Sequence, residues 1–434
     1  MSAAPISETH EHLLRPLAPE VLALLVRRYG PFDACEDAVQ EALLAAVKQW
    51  PETGVPENPR AWLVTAASRR LIDEFRSDAA RRRREQWDAL RTTPQDAPGH
   101  DDSLGLLFLC CHEALTPASQ IALTLRAVGG LTTAEIASTF LIPEATMAQR
   151  ISRAKRTVAE AGARFELPDT GPDERRLAAV RQTLYLIFNE GYTASSGAQI
   201  QRLELAHEAI RLARMLHRLL PGDDEVTGLL ALMLLTHARH RARTGPSGEL
   251  IPLAEQDRGR WDRRLIAEGV ALTEGALTAG PVGPFQLQAA IAAVHAEAPS
   301  AAETDWREIT ALYELLEQVA PNPVFTLNRA VALAMLKGPQ AGLQLLAEVQ
   351  QDRRLTTSHR VPAVRGHLLE LAGDSAAAAE AYHIASRLTT SRPERDYLLR
   401  KAAAIATAGS STSSACRQPR STGSKHLPLS PPPA

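Results

Sequence analysis

Apolar residues recur every three to four positions through most of the chain, the spacing of one buried helical face. "LAPEVLALLVRRYG", "CEDAVQEALLAAVKQW" and "NPRAWLVTAASRRLIDEFRS" each read as an amphipathic helix, separated by breaks at Gly30-Pro31 and in "PETGVPENP". This first zone, from about Leu14 to Glu85, is three or four helices closed by the basic run Arg81 to Arg84. The segment Thr92 to Ser103, "TTPQDAPGHDDS", has no apolar period and reads as a flexible linker. The helical pattern resumes from about Leu104 to Phe165, breaks at Asp169 to Asp173, and continues from about Arg175 to Thr407.

Within that third zone, "PNPVFTLNRAVALAMLKGPQAGLQLLAEV" and "HRVPAVRGHLLELAGDSAAAAEAYHIASRL" align at an offset of about 35 residues, with turns at Gly338 and Gly373. The offset is close to the 34-residue tetratricopeptide period. "RLELAHEAIRLARMLHRLLPGDDEVTGLLALMLLTHARH" reads as a further helical pair. The Ser/Pro-rich end, from about Gly409, is expected to be disordered.

Composition agrees with an all-α fold. Of 434 residues, 45% are hydrophobic but only 4% aromatic, with Ala and Leu dominant. A net charge of -2 makes any basic surface local. Four cysteines are too few and too scattered for a disulfide framework. The N-terminus lacks the basic and apolar regions of a signal peptide, and "LLALMLLTHARH" is too short to span a bilayer. A cytoplasmic location is expected, with no membrane contact.

The candidate chemistry lies in "LTTAEIASTFLIPEATMAQRISRAKRTV", Leu131 to Val158. Thr132 or Thr133 can cap a first helix, Ala134 to Phe140, with Glu135 near its N-terminus. Leu141-Ile142-Pro143 is the turn, and Pro143 suits the first position of a second helix. There Met147, Ile151 and Ala154 face inward. Thr146, Gln149, Arg150 and Arg153 lie on or near the opposite face, where such residues read base edges or phosphates in a major groove. Lys155 and Arg156 fall nearer the DNA backbone. An ordinary helical hairpin with a solvated basic face is the bland alternative.

The first zone weighs against that alternative. "Glu36-Asp37-Ala38-Val39-Gln40-Glu41", "Pro59-Arg60-Ala61-Trp62-Leu63" and "Leu71-Ile72-Asp73-Glu74-Phe75-Arg76" resemble region 2 of an extracytoplasmic-function (ECF) sigma factor. Leu104 through Val158 is similar to region 4 of the same family. The resemblance implies region 2 over 10–85, a linker over 86–103 and region 4 over 104–168. It implies binding to the β′ clamp helices and β flap of core RNA polymerase, and to promoter DNA. Residue by residue, it places Asp37, Gln40 and Glu41 on the core-binding helix. Trp62, Arg69, Arg70, Asp73 and Arg76 fall on the −10 helix, and Gln149, Arg150 and Arg153 on the −35 recognition helix. Arginines at 69, 70 and 76 are suited to a melted strand's backbone, whereas Trp62 reads as core packing, with base stacking as its alternative. Two positions depart from the pattern. ECF factors often carry Asn where Arg69 stands and a basic residue where Ala148 stands.

"LIFNEGYTASSG", "LAEQDRGRWDRRLIAEG", "GPFQLQAAIAAVHA" and "TDWREITALYELL" resemble the ECF subgroup with a tetratricopeptide-like C-terminal extension (ECF42-like), here over 174–407, ahead of a tail at 408–434. The subgroup implies an extension that affects activity. Its repeats suit a protein partner or intramolecular contacts with regions 2 and 4. No enzyme activity, cofactor or metal is expected. Cys110-Cys111-His112 cannot put ligands on one helical face, and Glu255, Asp257, Asp262, His240 and Trp261 form no nucleophile-base pattern. The competing reading is a conventional helix-turn-helix regulator fused to a repeat sensor, which has no need of the Leu14 to Arg84 zone.

Overall fold

The computed structural model describes residues 8–81, 103–140, 142–162, 174–194, 198–278, 280–356 and 358–415. The described residues are helical almost throughout and form no strand. They divide into two compact units. One holds the chain up to Thr244 and Ile251–Thr304, and the other holds Gly245–Leu250 and the chain from Asp305 on.

The first unit begins with α1 (Glu8–Tyr29), α2 (Phe32–Thr53) and α3 (Pro59–Arg81), split where Gly30 and Gly54 adopt positive φ. Apolar stripes meet between them: Val21, Leu22 and Leu25 of α1, Val39 and Trp50 of α2, and Leu63 and Leu71 of α3 are buried. Four helices follow, α4 (Ser103–Cys110), α5 (Pro117–Ala127), α6 (Thr133–Thr139) and α7 (Glu144–Glu160). Thr132 caps α6 in a reciprocal box with Glu135, each side chain bonding the other's backbone N–H. Pro143 precedes α7 as its N-cap, in extended conformation, rather than occupying its first turn as expected.

Helix α4, "SLGLLFLC", is apolar on every side, and Leu106 through Cys111 are all buried. Such a helix must be surrounded. It packs on α1, α5 and α8 (Glu174–Tyr192). Arg176 of α8 lies over the Phe108 ring, 5.4 Å from its centroid. Beyond α8 come α9 (Leu203–Leu219), α10 (Asp224–His237), α11 (Arg263–Ala276) and α12 (Pro284–Glu297), with α10 in the middle. Contact between α10 and α12 is backbone-close. A Cβ on Gly228 would meet the Gln286 nitrogen at 2.7 Å. A single apolar core runs from Leu14 in α1 through Met147 in α7 to Phe285 in α12.

The expected division at 169–173 lies outside the described residues. α8 packs on α4 and α5, and the two compact units meet along the chain near Thr304.

The second unit comprises α13 (Trp306–Val319), α14 (Pro323–Lys337), α15 (Pro339–Val349), α16 (Arg360–Leu371), α17 (Ser375–Leu388) and α18 (Arg392–Ala415). Each helix packs on the next. Gly338 and Gly373 take φ of +93° and +82° at the two turns that the sequence aligns. α18 continues into "GSSTSSA", so part of the segment expected to be disordered is helical. The remainder of the tail, the expected linker and the end of the basic run at 82–84 lie outside the described residues.

Candidate nucleic-acid interface

Two surfaces carry the candidate residues, and both lie in the first unit. On α7, Met147, Ile151, Ala154 and Val158 are buried and anchor the helix. Thr146, Gln149, Arg153 and Arg156 point outward, and Arg150 is half-buried beside them. Arg156 makes a loose pair with Glu160 at 3.8 Å, both ends exposed. This leaves a polar, cationic face of Thr, Gln and Arg free to enter a groove.

Lys155 is the exception. Its side chain is only 14% exposed, and its ammonium pairs with Glu36 of α2 and lies 3.2 Å from Asp33. Its ammonium is thus held in an internal ion pair rather than presented on the outer face of α7. Burial lowers the Lys155 pKa, but the charges and hydrogen bonds of Glu36 and Asp33 outweigh it and leave the group above its ordinary value.

Glu36 has a second partner. Arg126 of α5 donates its Nε to Glu36 Oε1 at 2.7 Å and its Nη1 to the Leu131 carbonyl at 3.1 Å. One buried carboxylate therefore ties α2 to both α5 and α7. Beside it is a cavity of about 280 Å³, lined by Leu22, Val39, Leu43, Gln40 and Arg126 among others. The pairing of Glu36 with Arg126 was not legible in sequence, because nothing local marks a pair that is 90 residues apart.

On α2, Asp37 and Glu41 are exposed and Gln40 is half-buried. Partial burial and the neighbouring Glu36, Asp33 and Glu41 raise the Asp37 pKa against the pull of Lys155. Arg70 of α3 bonds Glu41 at 2.7 Å, which joins a candidate DNA residue to a candidate polymerase residue. Both side chains are about half exposed, so this surface pair contributes little and is easily exchanged. Arg69 and Asp73 are exposed on the same helix. Trp62 packs edge-to-face on Trp50, with ring centroids 5.5 Å apart, as a partly buried core residue. The Arg76 side chain lies outside the described residues.

The other sequence candidates resolve into structural roles. Cys35, Cys110 and Cys111 are buried free thiols, and burial pushes Cys35 up to about 12. Asp257 accepts from the Gly259 N–H, and Asp262 caps α11 through the Arg264 and Leu265 N–H groups. His240 bonds the His237 carbonyl. Among the described residues no helix is long and apolar enough to cross a membrane.

Comparison with known proteins follows the same divisions. The sigma-70 region 2 family matches residues 13–82, and the sigma-70 region 4 family matches residues 105–158. A family of unknown function (DUF6596) matches residues 176–277. An uncharacterized protein of Rhizobium meliloti (strain 1021) is 42% identical over 394 residues, covering 88% of this chain and 92% of the relative. The probable ECF RNA polymerase sigma factor SigI of Mycobacterium tuberculosis (strain ATCC 25618 / H37Rv) is 32% identical over 146 residues. That alignment covers 32% of this chain and 50% of SigI. No solved structure matches the chain. With its three-helix α1–α3 bundle and its α4–α7 helix-turn-helix each matching a sigma-70 region in order, the chain belongs to the family of the Rhizobium meliloti protein and carries sigma-70 regions 2 and 4.

Proposed function

We propose that the chain is an ECF-type sigma factor whose helical extension governs its activity. The reading rests above all on sigma-70 regions 2 and 4 occurring in order on one chain, the second of them presenting Thr146, Gln149 and Arg153 from a helix-turn-helix. Region 2 would dock on the β′ clamp helices through Asp37, Gln40 and Glu41, and region 4 on the β flap. Trp62, Arg69, Arg70, Asp73 and Arg76 would meet the −10 element, with Arg70 exchanging Glu41 for a phosphate. Gln149, Arg150 and Arg153 would read the −35 element in the major groove, with Thr146 beside them. Arg156 would take a backbone phosphate, while Lys155 stays with Glu36. The extension supports a regulatory reading in two ways. Its first helix completes the core of region 4. Its last six helices form hairpins at a tetratricopeptide-like offset, suited to a protein partner.

The test adds the full chain to core RNA polymerase and maps transcription starts on genomic fragments. New starts sharing two upstream elements are the expected result. Specific duplex binding by the chain without any binding to core polymerase would overturn the reading in favour of a conventional regulator.

A further inference from the structure

Between α10 and α11 the chain leaves the helical pattern for single 3-10 turns at His240–Ala242, Leu253–Glu255 and Arg258–Arg260. Several buried polar groups in this stretch lack partners. Trp261 is only 3% exposed, yet its indole N–H has no acceptor, and neither does the buried Nε–H of Arg239. Buried donors in folded proteins are nearly always satisfied, so each orphan calls for an acceptor.

The charges around them point to the same need. The Arg258 guanidinium sits 4.5 Å from the Trp261 ring centroid and donates to the carbonyls of His295 and Ala298 at the end of α12, at 2.7 and 2.6 Å. Its partners are neutral. Arg239 and Arg263 both act on it as repelling cations, and Glu303 acts in the other direction. Glu303 itself accepts from the Ser300 hydroxyl. His295 is held neutral down to about pH 4 by burial and by the charges of Arg239 and Arg258. The nearby Asp262 is already occupied by capping α11.

We propose that these turns bind a small phosphate-type oxyanion held by Arg239, Arg258 and the Trp261 indole N–H. A dianion matches two guanidiniums, and its several oxygens accept from donors on different elements at once. The Trp261 indole N–H and the Arg239 Nε–H are buried, which favours a small ion over a duplex backbone. This inference is independent of the sigma reading.

The test is thermal unfolding of the full chain during titration with inorganic phosphate, at constant ionic strength against chloride. Glycerol 3-phosphate forms a second arm and acetate a third. Saturable stabilisation by phosphate, absent with acetate, is expected. A matching response to glycerol 3-phosphate would identify a phosphomonoester as an accepted source, and its absence would identify the free ion. R239Q and W261F should each weaken binding about tenfold or more, since each removes one charge-assisted donor. Both variants should keep the wild-type circular dichroism in chloride, with the Phe ring preserving the stack under Arg258. No saturable response to either phosphate, or an equal response in both variants, would overturn the proposal and assign the orphan donors to buried water.

Discussion

Replacing Glu36 by Gln tests whether α2 and the region 4 helices are one cooperative structure. The Glu36 side chain is 5% exposed, and its two partners, Arg126 and Lys155, are 17% and 14% exposed. Removing one member of a buried ion pair costs about 3–5 kcal/mol, mainly by leaving the other charge uncompensated. Here both cations keep a second partner, the Leu131 carbonyl for Arg126 and the exposed Asp33 for Lys155. The lower figure of roughly 3 kcal/mol applies. For a unit of this size that corresponds to a fall in Tm of about 5 °C. Calorimetry of the full chain should show the loss in the transition of the first unit, with the second unit's transition unmoved. A cycle with Lys155→Met should give a coupling above about 1 kcal/mol, because the two residues touch. If E36Q melted within a degree of the wild type, or the cycle were additive, the carboxylate would not be holding the helices together.

Three further outcomes follow from the same geometry. Arg153→Ala on the exposed face of α7 should leave Tm unchanged yet cost about 1–3 kcal/mol of promoter discrimination, read as loss of preference among −35 variants; a drop in Tm would instead make Arg153 structural. A chain ending at residue 168 should unfold well below the full chain's first transition, because it strips α8 from Phe108 and its neighbours at about 1.5–3 kcal/mol per large side chain; equal melting would make region 4 self-sufficient. Acidification should weaken the first unit, because burial and the neighbouring His240 and His207 depress His237 to about 3, so the unfolded chain takes up a proton that the folded chain refuses. That stability is intact above the ordinary histidine pKa of about 6.5 and is lost as pH falls toward 3, roughly 2 kcal/mol by about pH 5. Urea midpoints at the two pH values, with His237→Gln flattening the difference, check it; identical midpoints in the wild type would refute a buried neutral His237.

Helix spacing, the caps and the turns were legible because each is local. Thr132 and Glu135 are three residues apart, and Gly338 and Gly373 each turn the chain within one loop. The outward face of α7 could be read from the positions of Met147, Ile151 and Ala154. What local pattern could not reveal was which distant element meets which. The all-apolar "SLGLLFLC" announces a surrounded helix, yet its cover comes from α8 beyond a boundary that composition placed at 169–173. Lys155 has the spacing of a backbone-contacting residue. It is diverted because Asp33 and Glu36, on a helix more than a hundred residues earlier, reach it first. The turns between α10 and α11 show no nucleophile-base pattern in sequence, and only the fold leaves donors there without acceptors.

The Glu36 pairing also bears on how region 4 would meet DNA. A phosphate and Glu36 compete for the same ammonium. Releasing Lys155 leaves a buried carboxylate served by Arg126 alone, a larger loss than one phosphate contact in salt returns. Arg153 and Arg156 need no such rearrangement, being exposed at the outset, and Arg150 stands half-buried next to them. Backbone affinity should therefore rest on the arginines, while Lys155 keeps α7 against α2. Because the same α2 carries Asp37, Gln40 and Glu41, a polymerase docking there would press on the helix that also holds region 4 through Glu36. On the proposed reading, core binding and the freedom of that helix would be linked through one side chain, and α8, which packs on α4 and α5, would bear on that link from the other side.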